Sequence, residues 1–241
     1  MPVTTHSNNI RLVAPTAAPA MPRPIPGQAR LAIDSVLEYD VDGTSEFVFL
    51  IHAADIPGQT LIEESLLVEP QIPYRCYTDA ATGNRFLRLQ AEAGKFRVVY
   101  RAIVDRLVEP MAADTAEVAV HDIPEDVLHY VTPTRYCESD ELGADAQALF
   151  GNLTPGLQRV QAISDWVQNN ITYRIGSSNA STSAADVFAR RTGVCRDFAH
   201  LSITFCKALN IPARMVSGYA IFPDPPPDFH AVFEAYVGGR W

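Results

Sequence analysis

The sequence predicts an α+β protein, with an antiparallel β-sandwich over residues 29–115 followed by helices packed on an antiparallel sheet over residues 116–241. Two patterns predict it. Between residues 29 and 110, apolar side chains recur with period two and turn signals separate the runs. Beyond Pro124 the apolar spacing becomes helical. A third observation sets the scale: 241 residues, of which 47% are hydrophobic and 20% charged, suffice for one large domain or two small ones.

Residues 1–28 hold six prolines, two charged residues (Arg11 and Arg23) and no acid, so they read as an extended arm that buries too little apolar surface to offset its ordering entropy. Pro15 and Pro19 interrupt its only apolar stretch and no basic segment precedes it, which argues against a signal peptide and for a cytoplasmic location. In the strand region Leu31, Ile33, Leu37, Tyr39 and Val41 alternate with Asp34, Glu38 and Asp40. Phe47 to Ile51 is a continuous apolar run, which predicts a strand covered on both faces. Phe96, Val98, Tyr100, Ala102 and Val104 alternate with Lys95, Arg97 and Arg101. Turns are expected at Asp42-Gly43, Ile56-Pro57-Gly58, Thr82-Gly83-Asn84 and Ala93-Gly94.

Thr154 and Pro155 predict the N-cap and first residue of a helix bearing Leu157, Val160, Ser164, Val167 and Ile171. Ser183 and Asp186 predict a capping box for a short helix ending near Gly193. Val194, Phe198, Leu201, Phe205 and Leu209 form the buried stripe of a helix from about Val194 to Leu209, stopped by Asn210 and Pro212. A strand is expected over 213–222, a proline-rich loop over 223–228, a second strand over 230–237 and a two-residue hairpin turn at Gly238-Gly239.

Charge and cysteine usage narrow the function. A formal charge of −9 argues against nucleic acid or an anionic membrane surface as partner, since both need clustered positive charge. No apolar run approaches the ~20 residues of a membrane-spanning helix. Cys76, Cys137, Cys195 and Cys206 contain no Cys-x-x-Cys pair, which excludes a disulfide framework or zinc ribbon as the organising feature. No calcium-loop pattern occurs, and no metal or cofactor is expected.

Cys195 follows Gly193-Val194 and opens the best-patterned helix of the chain. Unpaired N–H groups and the positive end of the helix dipole stabilise a thiolate there, and the same N–H groups suit a developing oxyanion. The plainer alternative is an inert small hydrophobe. His230 begins a strand and supplies a base that can take a thiol proton and return it to a leaving group. Its alternative is a solvated loop-edge histidine. His200 lies about 140° around the helix from Cys195, so the two do not face each other. By period two, Asp228 and Glu234 share the face of His230. Asp197 reads as a helix cap, and Arg196 as a source of positive potential beside the thiol or a solvated side chain.

The segments Gly193-Val194-Cys195-Arg196-Asp197-Phe198-Ala199-His200, Ile211-Pro212-Ala213-Arg214, Ser217-Gly218-Tyr219 and Phe229-His230-Ala231-Val232-Phe233-Glu234 resemble, in order and spacing, the bacterial transglutaminase-like superfamily. The resemblance implies a papain-like cysteine-enzyme core over 116–241, preceded by the family's N-terminal β-domain. It implies Cys195 as nucleophile and His230 as general base and acid. It places the third triad acid a few residues beyond a tryptophan matching Trp241, on the strand after the hairpin, and so implies a core cut short at its C-terminal end. Glu234 matches a supporting position. Tyr173 and Tyr219 resemble aromatic positions near the cleft, as hydroxyl donors or pocket walls, with core packing as the alternative for both. The implied function is a cysteine peptidase or amidase acting through a thioester on a peptide or protein amide, with water or an amine as acceptor. The alternative is a catalytically inactive binding scaffold, with a protein partner recruited through the β-domain.

Overall fold

The computed structural model describes residues 9–10, 27–107, 109–220 and 229–241. Most of the expected arm and the whole of the proline-rich loop lie outside the described residues. Contacts divide the chain into two units. One holds the residues up to Pro110 together with Tyr219–Phe229, and the other Met111–Gly218 with His230–Trp241.

Alternation of apolar side chains builds the first unit. Its strands are β1 (Asn9–Ile10), β2 (Gln28–Val41), β3 (Ser45–Phe49), β4 (Gln59–Glu69), β5 (Tyr74–Thr78), β6 (Arg85–Ala91) and β7 (Gly94–Leu107). They form two antiparallel sheets in the orders β1-β2-β7-β4 and β3-β6-β5. β2 and β7 pair along their whole length, from Gln28↔Leu107 to Val41↔Gly94. Ile33 and Leu37 of β2, Leu87 and Leu89 of β6, and Val98 and Val104 of β7 meet in one buried core. The run from Phe47 to Ile51 is not covered on both faces, as its sequence predicted. β3 stops at Phe49, with Phe49 and Ile51 buried but Val48 63% exposed. Burial alternates along β3, so its antiparallel sheet turns one face to the core and the other to water.

Tyr100 of β7 is wholly buried, and its hydroxyl accepts from the Ala53 N–H at 2.8 Å and donates to Glu64 at 2.9 Å. Glu64 is also held by both terminal nitrogens of Arg85, at 2.7 and 2.8 Å. Burial pushes the Tyr100 hydroxyl pKa up, while the Arg85 guanidinium holds Glu64 below the usual carboxylate range. Tyr100→Phe keeps the ring but strands the buried Ala53 N–H, so urea unfolding is expected to show a loss of about 1–3 kcal/mol.

The second unit contains α1 (Glu125–Leu128), α2 (Gly143–Phe150), α3 (Leu157–Asn170), β8 (Thr172–Tyr173), α4 (Ala184–Arg190), β9 (Thr192–Gly193), α5 (Cys195–Ala208), β10 (Ala213–Tyr219) and β11 (Phe229–Ala235). The last residue of β10 and the first of β11 belong to the first unit. Leu201, Phe205 and Cys206 of α5 pack among Phe150 of α2, Ile163 and Val167 of α3, and Val187 of α4. Trp166 meets Phe205 edge to face at 5.5 Å. Among the described residues no helix is long and apolar enough to cross a membrane.

Two helix ends differ from the sequence expectation. α3 starts at Leu157 with Gly156 as its cap, leaving Thr154 and Pro155 outside. Gly156 sits at φ 149, and a Cβ there would lie 2.5 Å from the Thr115 carbonyl oxygen. The Glu117 carboxylate accepts the Gly156 N–H at 3.0 Å and also binds Arg159, so a tertiary contact fixes this end. α4 has the expected Ser183/Asp186 capping box, but Arg191 ends it in the left-handed conformation, and Thr192-Gly193 then form β9.

α5 closes where Asn210 turns at φ 61 and the Ile211 N–H reaches the Cys206 carbonyl at 2.9 Å. β10 and β11 pair as a two-stranded sheet whose end is tied by Tyr236 N–H to the Pro212 carbonyl at 2.8 Å. Gly238 and Gly239 follow at φ 60 and 81, with Val237 and Arg240 exchanging hydrogen bonds at 2.9 and 3.3 Å. That is the two-residue turn with positive φ at both central positions.

Candidate active site

The site is built on the entry to α5. β8 and β9 pair in parallel, Thr172 with Thr192 and Tyr173 with Gly193, and the Arg174 N–H continues the pairing onto the Gly193 carbonyl at 3.0 Å. Gly193 is required by an intrachain contact, since a Cβ there would meet the Cβ of Asp197 at 2.7 Å. Asp197 is completely buried. Its Oδ2 accepts the Val194 N–H at 2.8 Å, the capping role its position predicts.

Cys195 is the first helical residue and is half-buried. The first turn closes when the Asp197 N–H reaches the Val194 carbonyl at 2.8 Å, so the Cys195 and Arg196 N–H groups precede the first helical bond. Together with the helix dipole they can receive a developing oxyanion.

His230 is the second residue of β11, half-buried and in the same unit as Cys195. The Ile211 and Tyr236 ties hold the end of β11 at the C-terminal end of α5. Cys195 lies about 20 Å from that end along the 14-residue helix. His230 lies about 20 Å from it along the strand. Glu234 is engaged by Arg214, whose Nε and Nη2 reach its Oε2 at 3.0 and 2.9 Å. Asp228 lies outside the described residues.

The two tyrosines are placed differently. Tyr173 is 53% exposed and its ring centre is 6.0 Å from Phe198 in the first turn of α5. Tyr219 donates its hydroxyl to the Ile51 carbonyl at 2.6 Å and packs against the core of the first unit, with Phe229 at 5.3 Å. Burial pushes its pKa up. Of the other thiols, Cys137 and Cys206 are buried and Cys76 is exposed, and desolvation pushes the pKa of all three up. Periodicity gave no sign of the contacts made by Arg196, which joins Ser178 and Asn179 across 18 and 17 residues.

His200 is buried and stacks on Tyr136 at 5.2 Å with planes 8° apart. Burial holds His200, and also His52 in the first unit, below the ordinary histidine pKa. The unfolded chain therefore binds more protons than the folded one in this range. The stability from neutral histidine is full above the unfolded pKa of about 6.5 and is lost as pH falls from there through the lowered folded values. The urea midpoint is expected to fall between pH 7 and pH 5, with His200→Gln flattening the slope.

Residues 144–241 match the family model described as the transglutaminase-like superfamily, and residues 29–126 that of the bacterial transglutaminase N-terminal domain. The crystal structure of a candidate cysteine protease from Cytophaga hutchinsonii superposes with a TM-score of 0.82 at 41% identity, covering 88% of this chain and 75% of that one. An uncharacterized protein of Mycobacterium leprae is 31% identical over 134 residues, which is 51% of this chain and 46% of that protein. An uncharacterized protein of Mycobacterium tuberculosis is 38% identical over 73 residues, which is 30% of this chain and 23% of that protein. The chain thus spans about half the length of the first curated relative and about a quarter of the second. Both matched regions keep their order, the sheets come first and the helical core second, and the chain belongs to the transglutaminase-like superfamily.

Proposed function

We propose that this chain is a cysteine peptidase or amidase. The Cys195 thiolate attacks an amide carbonyl and His230 takes the thiol proton. The first-turn N–H groups of α5 receive the oxyanion. As it collapses, the C–N bond breaks and His230 protonates the departing amine. Water, activated by His230, then cleaves the thioester to acid and thiol; an amine in its place gives acyl transfer.

The observation that carries this reading is a half-buried thiol at the first position of a capped helix. A reducing compartment such as the cytoplasm suits four free cysteines. The test is iodoacetamide labelling of the full-length protein across pH, read by mass spectrometry. A free cysteine derivative serves as the reference, because burial pushes the Cys76 thiol up, and buried Cys137 and Cys206 stay unlabelled. Cys195 is expected to react faster than the free thiol at neutral pH; equal or slower labelling overturns the reading.

A further inference from the structure

The pairing of β10 with β11 fixes which residue stands beside His230. Both strands hold seven residues, Ala213–Tyr219 and Phe229–Ala235, and equal lengths leave no residue over for a bulge. Three contacts set the register. The Tyr236 N–H reaches the Pro212 carbonyl at 2.8 Å, Arg214 holds Glu234 at 2.9 Å, and the Tyr219 and Phe229 rings lie 5.3 Å apart. One antiparallel register satisfies all three, and it puts Val216 opposite Val232 and Gly218 opposite His230. Gly218 is a glycine that its surroundings do not demand. Its φ lies outside the left-handed region, and among the described residues no atom lies within 4 Å of where a Cβ would stand. A glycine inside a strand weakens it and often marks a place where a ligand approaches the backbone closely. Directly opposite side chains have Cβ atoms about 4.5–5.5 Å apart, so what Gly218 omits is the cross-strand neighbour of the imidazole. Next along the same face come Val216, half-buried, and Val232, 47% exposed, and then the Arg214–Glu234 ion pair.

We propose that Gly218 is a specificity-determining residue. It leaves a slot beside His230 for the amine side of the scissile bond, and Val216 and Val232 line that slot for an apolar side chain. The preferred substrate is a peptide bond followed, on its amine side, by an apolar residue. The inference deepens the peptidase or amidase reading and rests on it. Its physical basis is the route of the proton. The nitrogen that His230 protonates has to come within hydrogen-bond distance of the ring, about 2.6–3.2 Å. Whatever that nitrogen carries then lies close beside the imidazole, in the space that a side chain on Gly218 would fill. A glycine after the scissile bond needs little of that space. A leucine fills it, and covers the exposed Val232 as it leaves water.

The test uses the full-length protein with Gly218→Ala and Gly218→Val. Two peptides share one acyl side and carry leucine or glycine immediately after the scissile bond. The unaltered protein is expected to prefer the leucine peptide. The ratio of kcat/KM, leucine peptide over glycine peptide, is expected to fall about 10- to 100-fold in Gly218→Val and by a smaller factor in Gly218→Ala. The urea midpoint of both variants should stay at or above that of the unaltered protein, because a side chain suits a strand and a Cβ meets nothing there. An unchanged ratio, whether from no loss or from equal losses on the two peptides, overturns the slot and leaves the peptidase reading standing. A preference of the unaltered protein for the glycine peptide does the same. A lowered midpoint in Gly218→Ala shows that packing demands the glycine and overturns its assignment to specificity. Cleavage of neither peptide by the unaltered protein overturns the peptidase reading and the slot with it.

Discussion

Cys195→Ala is expected to lower kcat for amide hydrolysis by about 10⁴-fold or more while leaving the fold intact. In the proposed mechanism the acyl group is carried on the sulfur between C–N cleavage and hydrolysis, so no neighbouring group substitutes for it. The stability effect is expected to be small because the thiol is only half-buried and alanine suits the first helical turn. Activity and urea unfolding measured on the same preparation separate the two effects. A Cys195→Ala protein that unfolds at the wild-type midpoint and still hydrolyses amides at the wild-type rate would exclude the thiol mechanism.

The second large effect is structural in origin. Asp197 is wholly buried, accepts the Val194 N–H and receives a bond from Arg196. Asp197→Ala leaves that buried N–H without its acceptor and removes a negative charge from the positive end of α5. The expected cost is about 2–4 kcal/mol in denaturant unfolding. Asp197→Asn keeps the shape and one acceptor and should cost less. Because the same carboxylate fixes the backbone just ahead of Cys195, kcat/KM should fall at least about tenfold even at temperatures where Asp197→Ala stays folded. A stable Asp197→Ala variant with unchanged kinetics would show that the cap does not set the position of the thiol.

The candidate site shows where sequence and tertiary structure divide the work. Local patterns were sufficient for elements whose signals lie within one turn or one strand. Ser183/Asp186 caps α4, the stripe from Leu201 to Phe205 fixes the buried face of α5, and Gly238-Gly239 makes the hairpin turn. The motif around Cys195 and His230 named the family before any geometry was known, since its spacing records which elements carry the two residues.

The sequence by itself determined the α+β class, the alternating strands of the first unit and the placing of a cysteine at a helix start, because period and capping chemistry act between residues close in the chain. Only the tertiary structure decided which face of the Phe47–Ile51 run meets water, where α3 begins, that Gly193 makes room for Asp197, and that Arg196 fastens a stretch 17 residues away. The physical reason is the same in each case. The face of β3 that meets the core, a carboxylate reaching Gly156 across 39 residues and a guanidinium reaching Asn179 all depend on partners distant in sequence, and no local periodicity encodes them.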